Sequence, residues 1–267
     1  MSARTARDRS WLRRPLVSTA SVAGGVVLWW IVASIVRDPV VLPSPIDVLG
    51  ALVKYMSGPY PSQGVTLWQH AAASLTRIAV GFGLGSIIGI AIGSLMAGSK
   101  AIRHIIDPFI ELSRPLPPLA FIPILIVWFG IGEVPKVLLI LIGVVPVRII
   151  ATVTGLDNVE PELIHASRSL GGSERYTMMH VRVRAALPSI VTGMRLAVGM
   201  SWTSIVAAEM IAAQSGLGYV ILQAGNYLDT SLIFAAILVI GVLGLLMDGI
   251  LRLVLRFLDP AGAARRV

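Results

Sequence analysis

The chain contains no cysteine, and only 13% of its 267 residues are charged. The absence of cysteine excludes disulfide bonds and thiolate metal sites. Soluble domains carry about 25% charged residues, so this chain has too little polar surface to cover a folded domain in water. Because 55% of its residues are hydrophobic, the composition predicts a protein embedded in lipid.

Sequence patterns typical of enzymes are also missing. The H-E-x-x-H spacing of zinc proteases is absent from the four histidines, which are His70, His104, His165 and His180. No G-x-S-x-G nucleophile motif is present. The segment GSLMAGSK at 93–100 is close to a phosphate-binding loop, but Ser99 separates its second glycine from Lys100. We therefore expect no catalytic site, metal site or bound cofactor in this chain, and no ATP hydrolysis by it.

Long apolar runs dominate the sequence. A membrane-spanning helix needs about 20 mostly apolar residues, and six runs qualify: 16–36, 72–97, 117–132, 134–154, 187–212 and 231–256. The segment FGIGEVPK at 129–136 leaves only a tight turn between the third and fourth runs. For that pair, one broken helix or a re-entrant hairpin is the alternative. The pattern predicts an all-α integral membrane protein with six transmembrane helices.

Basic residues predict the orientation of these helices. Most of the 22 lysines and arginines lie in segments that six crossings place on the same side as the N-terminus. These residues are Arg4, Arg7, Arg9, Arg13, Arg14, Lys100, Arg103, Arg114, Arg148, Arg168, Arg175, Arg182, Arg184, Arg252, Arg256, Arg265 and Arg266. The positive-inside rule makes that side cytoplasmic. Membrane topology thus explains the net charge of +8, and no nucleic-acid partner is expected.

The same reasoning divides the chain into segments. We predict a cytoplasmic basic N-terminus at 1–15, a single transmembrane domain at 16–258 and a cytoplasmic tail at 259–267. A long cytoplasmic loop at 155–186 separates the fourth and fifth helices. The run at 16–36 follows an arginine-rich start, but it is too long for a signal-peptide core and no clean cleavage site follows. It is therefore interpreted as a retained signal anchor.

The segment between the first two spans predicts a short helix at the outer membrane interface. Residues 37–70 are rich in proline and glycine, and 45–57 are amphipathic. Ser44 is a suitable N-cap, and Pro45 suits the first helical position. Three aromatic residues are expected to anchor this segment at headgroup depth: Tyr55, Tyr60 and Trp68.

Four glycines recur at every fourth position of the second span: Gly81, Gly85, Gly89 and Gly93. Stripes of small residues allow helix backbones to approach closely in lipid. The stripe predicts tight packing inside this subunit, with a contact between subunits as the alternative.

One acidic residue, Glu209, lies deep in an apolar run. A charged side chain at the centre of a membrane helix costs about 2.5–3.5 kcal/mol on translocon scales. Glu209 is therefore a candidate for the translocation path or a gate. The alternative is a structural pair that ties helices together, with Arg77 as the partner. Asp248 lies four residues before Arg252, which predicts a local ion pair.

The polar stretch ELIHASRSLGGSER at 162–175 interrupts the apolar runs. Pro161 suits a first helical turn, and the glycine pair 171–172 predicts its C-terminal stop. Four residues share a small-to-apolar face: Leu163, Ala166, Ser167 and Leu170. A second short helix begins at Ser173. We predict a compact helix-turn-helix whose face suits a groove on another protein, with a helix lying on lipid as the alternative.

This stretch resembles the coupling loop of ATP-binding-cassette (ABC) importer permeases. Their motif is Glu-Ala-Ala, three residues, Gly, nine residues and Ile-x-Leu-Pro. The matching positions here are His165-Ala166-Ser167, Gly171 and Val181-x-Val183-Arg184, so histidine replaces the glutamate and Val183-Arg184 replaces Leu-Pro. The flanking segments resemble the nitrate, sulfonate and taurine branch of these permeases from about 15 to 258: LPSPIDVL, PLPPLAFIPILIVWFGIGEVPK, ALPSIVTGMRLAVGMSW and VAAEMIAAQSGLGYVILQA.

The resemblance implies the type I ABC importer permease fold, with a cytoplasmic coupling helix between helices four and five. It implies a homodimer of permeases in the bacterial cytoplasmic membrane, two ATPase subunits that hold ATP and Mg, and an extracytoplasmic binding protein. The cargo would be an organic sulfonate, taurine, nitrate or a similar small anion. Six residues would contact the ATPase: Glu162, His165, Ala166, Ser167, Leu170 and Gly171. The substitution at His165 puts any carboxylate-dependent contact there in doubt.

Two other functions are compatible with a six-helix membrane protein. An autonomous channel or secondary transporter would need no coupling loop, and is expected to have internal repeats and several intramembrane ionisable residues. A membrane scaffold would transport nothing. The sequence shows no clear repeat and one deep acid, which favours the importer permease.

Overall fold

The computed structural model describes residues 10–58 and 64–258, without side chains for 10–16, 18 and 258. Tyr60, the predicted tail at 259–267 and most of the predicted basic N-terminus lie outside the described residues. The described residues form helices and turns and contain no β-strand. The predicted all-α architecture is thus confirmed.

Eleven α-helices follow one another along the described chain. They are α1 Ser10–Val36, α2 Pro45–Ser57, α3 Leu67–Gly98, α4 Lys100–Ser113, α5 Ile122–Phe129, α6 Glu133–Asp157, α7 Pro161–Ser169, α8 Glu174–Tyr176, α9 Val183–Ala212, α10 Leu217–Asn226 and α11 Thr230–Leu258. A 3₁₀ turn, Pro118–Phe121, precedes α5, and a π-helical segment, Thr177–Arg182, joins α8 to α9.

Five of the described helical segments are long and apolar enough to cross a membrane: α1, α3, α6, α9 with its preceding turns, and α11. A sixth crossing exists if α4 and Pro118–Phe129, which are bent by 93°, form one broken span. Within the predicted third span, 117–132, the α-helix is the eight-residue α5, which is too short to cross a membrane by itself. The break lies before it, between Ser113 and Pro118, where three prolines stop the helix. The turn predicted at 129–136 is present, since Gly130, with a φ of +72°, caps the end of α5 and α6 begins at Glu133, so the third and fourth predicted spans are separate helices.

Helix α2 begins where the sequence predicts. The Ser44 hydroxyl accepts a hydrogen bond from the Asp47 amide, and the Asp47 carboxylate accepts one from the Ser44 amide at 3.0 Å. This capping box satisfies two amide groups that would otherwise lack partners. The anchor role predicted for Tyr55 is wrong, because its ring is buried and its hydroxyl donates to Asp229 at 3.3 Å. Tyr55 instead fastens α2 to the turn before α11.

The bundle is centred on α3, α6 and α9. The four glycines of α3 all face α6. A Cβ built on Gly81 would lie 2.7 Å from Ile140, one on Gly85 2.9 Å from Val144, and one on Gly93 2.8 Å from Thr152. A Cβ on Gly89 would collide with Arg148. The glycine stripe thus packs inside this subunit, as predicted. Because α3 and α6 run parallel, with Gly81 beside Ile140 and Gly93 beside Thr152, both helices begin at the end of the bundle where α2 and α10 lie, and α7 lies at the other end. These are called the α2 end and the α7 end.

Candidate functional site

The short helix α7 lies in the segment that connects the spanning helices α6 and α9. Pro161 occupies its first turn with Glu162, and Arg168 lies in its last turn, so both charges suit the helix dipole. Its end is a tight turn in which the Gly172 amide donates to the carbonyl of Ser167 at 2.9 Å. Gly171 has a φ of +83°, a left-handed conformation that favours glycine. The predicted helix and its glycine stop are therefore both present.

One side of α7 rests on the rest of the chain. Ile164 is half-buried and packs on the cluster that contains Leu156 and Ala186, at the ends of α6 and α9. The Ser167 hydroxyl lies 2.9 Å from that of Thr177, which is buried in the π-helical segment. These contacts join α7 to the ends of both spanning helices.

The other side of α7 is exposed. Glu162, His165 and Ala166 are exposed, and Leu170 leaves 89% of its surface open. Ser167 is the exception in the predicted small-to-apolar face, because it turns toward the π-helical segment. Leu163, Leu170 and Tyr176 border a groove of 610 Å³ beside α7. An exposed leucine beside a groove is a suitable contact for another protein.

A second cluster of polar side chains lies at the α2 end. Arg77 of α3 is 6% exposed, and its guanidinium donates to both oxygens of Glu133, at 2.6 and 2.9 Å. The same group donates to Glu209 at 2.7 Å and to the Ser215 carbonyl at 2.7 Å. Lys136, also buried, donates to Glu133 at 2.9 Å. One guanidinium thus connects α3, α6, α9 and the loop before α10.

Glu209 is fully buried, and all its partners lie in this cluster. Besides Arg77, its carboxylate accepts from the Ser74 hydroxyl at 2.8 Å and from the Gly218 amide at 3.0 Å. The Gly218 amide belongs to the first turn of α10, whose dipole favours a negative charge there. The Ser74 hydroxyl in turn accepts from the Leu217 amide at 2.9 Å. The predicted pair with Arg77 is therefore present, and it holds the start of α10.

The loop before α10 fits around this carboxylate. Gly216 has a φ of +119°, and a Cβ there would collide with the Glu209 carboxylate. A Cβ on Gly218 would collide with the carbonyl of Val206. The Gly216 amide donates to Nδ1 of His70, which is also buried, at 3.1 Å. Both glycines are thus required by close approach, and the first also by its backbone conformation.

Most of this cluster was not predicted from the sequence. Glu133 and Lys136 lie three apart at the start of α6, which signals only a local pair. Their contact with Arg77 joins positions 56 residues apart, and the Ser215 contact joins positions 138 apart. No local pattern encodes such pairings. Asp248 does pair with Arg252, as predicted, and it also binds Arg195 of α9 at 2.5 Å.

Arg148 does not lie in the loop between helices, where the basic-residue pattern placed it. It is fully buried within α6, and its Nη1 donates to the carbonyl of Ile190 in α9 at 2.7 Å. Its Nε and Nη2 have no hydrogen-bond partner among the described residues. The assignment to the loop was wrong, because position 148 lies inside the predicted span 134–154 and α6 continues to Asp157.

Residues 85–260 match the family described as binding-protein-dependent transport system inner membrane components. The match covers well over half of the chain. The chain belongs to this family. It is therefore the permease subunit of an ABC importer, as the resemblance of the sequence implied.

Two curated relatives are similar over nearly their full length. The taurine transport system permease protein TauC of Escherichia coli is 40% identical over 249 residues, which are 93% of this chain and 90% of the relative. The nitrate import permease protein NrtB of Synechocystis is 34% identical over 257 residues, 94% of this chain and 93% of the relative.

The fold is that of type I ABC importer permeases. A subunit of the MetNI methionine ABC transporter in an inward-facing conformation aligns with a TM-score of 0.62, at 19% identity, over 72% of this chain and 94% of its own. An amino acid ABC transporter aligns with a TM-score of 0.55 and 20% identity, over 75% of this chain. At these identities the likeness concerns the fold alone.

Proposed function

We propose that this permease forms the membrane path for a small anion, an organic sulfonate, taurine or nitrate, in an ATP-driven importer. The cargo class is supported by the relatives, whose names specify taurine and nitrate. The observation that carries the ATP-driven part is the exposed side of α7, which ends in Leu170 and Gly171. A helix of this kind has no role in lipid, but it suits a groove on a motor protein.

The proposed partner at the α7 end is an ATPase subunit. Glu162, His165, Ala166, Leu170 and Gly171 would meet its groove, while Ser167 would hold α7 against the π-helical segment. Closure of two ATPase subunits on ATP and Mg would displace α7, and the contacts of α7 with α6 and α9 would pass that movement to the membrane helices. This chain would bind neither ATP nor Mg. His165 replaces the carboxylate of the family motif, so the contact at this position need not be ionic.

The proposed assembly contains two permease copies, two ATPases and one extracytoplasmic binding protein. The apolar surfaces of α1, α5 and α11 suit lipid and a second copy, with many large exposed side chains. The binding protein would dock at the α2 end, where α2 and α10 lie. There, the Arg77–Glu209 cluster would support the outer gate, because it holds α10 and its preceding loop to three helices. Glu209 would then act on the gate indirectly, by holding α10 in position.

The topology that this function requires can be tested by single cysteines, because the chain has none of its own. The N-terminus, 98–116 and 155–185 should be cytoplasmic. In intact cells, Ser57→Cys at the α2 end should react with an impermeant thiol reagent, whereas Ser173→Cys should react only after permeabilisation. Both positions are exposed. Reaction of Ser173→Cys in intact cells would contradict the orientation.

Leu170→Asp tests the proposed docking surface. Because Leu170 is 89% exposed, the substitution should leave the yield and thermal stability of the permease unchanged, within about 0.5 kcal/mol. A buried charge in the ATPase groove is costly, so co-purification with the ATPase should fall at least about tenfold. The measurement is the ATPase-to-permease ratio after affinity purification of the co-expressed complex. An unchanged ratio would show that α7 does not dock.

A further inference from the structure

Arg148 is a buried positive charge that the subunit does not neutralise. It lies roughly 22 Å along α6 from Glu133 and roughly 14 Å from Asp157, at 1.5 Å per residue. This depth is within a hydrocarbon core of about 30 Å. The side chain is fully buried, so it does not extend to the membrane surface. No described acidic residue forms an ion pair with it.

The hydrogen bonds of Arg148 are also incomplete. A guanidinium carries five N–H donors, and that of Arg148 makes one hydrogen bond to the described residues, to the Ile190 carbonyl. Nε and Nη2 lack partners among the described residues. Other membrane-depth arginines of the chain are paired: Arg77 with two glutamates, and Arg195 with Asp248. An unpaired buried charge is costly, so such residues mark functional positions in membrane proteins.

A groove of 450 Å³ between α6 and α9 lies beside this guanidinium. Gly193 and Ala151 line it, and a Cβ built on Gly193 would be 3.5 Å from Nη1 of Arg148. The guanidinium is therefore separated from the groove only by the Gly193–Ala151 contact. Three exposed hydroxyl-bearing residues also line the groove: Thr154, Ser189 and Thr192. Hydroxyl groups suit a wet path better than a lipid-facing surface.

We propose that Arg148 and the α6–α9 groove form an anion-binding subsite on the translocation path. The ligand class is a small singly charged oxyanion, a sulfonate or nitrate, whose planar or forked oxygens match the donors of a guanidinium. Movement of α9 against α6 at the Gly193–Ala151 contact would open the guanidinium to the groove. The cargo identity rests on the proposed function, whereas the positive potential of the groove does not.

The potential can be measured with a cysteine at Thr192 in the full-length purified chain, reconstituted in lipid nanodiscs. Two methanethiosulfonate probes are compared, the anionic sulfonatoethyl and the cationic trimethylammonioethyl reagent. Arg148→Gln keeps a donor toward Ile190 but removes the charge, and should lower the anion-to-cation rate ratio at least about threefold. Arg148→Lys should retain the ratio. Arg252→Gln, at an exposed pair of α11, is the control and should leave it unchanged.

A second comparison needs no substitution of Arg148. Thr203 is also an exposed threonine of α9 whose hydroxyl donates to a carbonyl four residues earlier, as that of Thr192 does. The anion-to-cation ratio should be higher at Thr192→Cys than at Thr203→Cys. The subsite would be overturned by equal ratios at the two positions, or by a ratio at Thr192→Cys that Arg148→Gln does not change. It would also be overturned if neither reagent reacts with Thr192→Cys, which is the result expected if a second copy closes the groove.

Transport distinguishes this inference from the proposed function. In the complete importer in proteoliposomes, ATP-driven uptake of nitrate or ethanesulfonate should fall at least about tenfold in Arg148→Gln, with an intermediate rate in Arg148→Lys. ATPase stimulation by the loaded binding protein should persist. If the parent transports neither probe with ATP, the proposed cargo fails, while the labelling ratios still decide the potential. Equal uptake by the parent and Arg148→Gln would overturn the subsite alone.

Discussion

Gly171→Val should abolish coupling between the permease and its ATPase while leaving the membrane bundle intact. Gly171 has a φ of +83°, which costs a residue with a Cβ about 1–2 kcal/mol, and more for a β-branched one. The substitution therefore reshapes the end of α7 and adds bulk beside Leu170. We expect normal insertion and dimer formation, at least about tenfold less co-purified ATPase, and no ATPase response to the loaded binding protein.

Two matched variants separate strain from docking. Gly171→Asn keeps a residue that tolerates the left-handed conformation, so it should retain more coupling than valine. His165→Glu restores the residue of the family motif on the exposed side of α7, and should be tolerated. The yield of folded permease should be equal for all three, because no described side chain or backbone atom lies within 4 Å of a Cβ at Gly171. Normal transport by Gly171→Val would remove α7 from the docking surface.

Glu209→Gln should reduce transport more than it reduces folded protein. Glutamine keeps the size of the side chain but removes the charge that faces Arg77 and the Gly218 amide. Breaking a buried ion pair costs about 3–5 kcal/mol, although Glu133 and Ser215 still bind Arg77. The loosened part is the start of α10, so the folded fraction should transport poorly. Uptake per folded permease and thermal stability are measured together.

Asp248→Asn is the control for Glu209→Gln. Asp248 is also an ion-paired acid of a spanning helix, with Arg195 and Arg252 as partners, but it is partly exposed and lies away from α10. Its loss should cost about 1 kcal/mol or less, with uptake per folded permease retained. If Glu209→Gln behaves in the same way, with transport unchanged at equal folded protein, then the cluster with Arg77 has a structural role only.

Local signals were sufficient for much of the fold. Ser44 and Pro45 predicted the start of α2, and the glycine pair after Leu170 predicted the end of α7, because caps and left-handed turns depend on residues adjacent in sequence. The repeat of glycines in α3 predicted a face for close packing. Its partner, α6, could not be read from the repeat, since any helix with suitable side chains fits such a face.

The sequence failed where the structure depends on distant residues or on exact helix limits. The break between Ser113 and Pro118 was not predicted, because the third span was taken to begin at 117 and no helix was assigned to 100–113. The Arg77 cluster joins four segments, so only its Glu209 contact was considered. Arg148 was counted with the cytoplasmic loop although position 148 lies within the predicted span 134–154. A tertiary contact decides the outcome for the Arg77 cluster and for Arg148, whereas the break before Pro118 follows from the prolines themselves.

Uptake in proteoliposomes tests the central claim most directly. The permease, the ATPase and the loaded binding protein are reconstituted together, and uptake of taurine or nitrate is followed with ATP, without ATP, and with an ion gradient alone. We expect uptake with ATP and the binding protein, none without ATP, and none from a gradient alone. Uptake driven by an ion gradient in the absence of ATP would contradict an ATP-driven importer and would identify a secondary transporter.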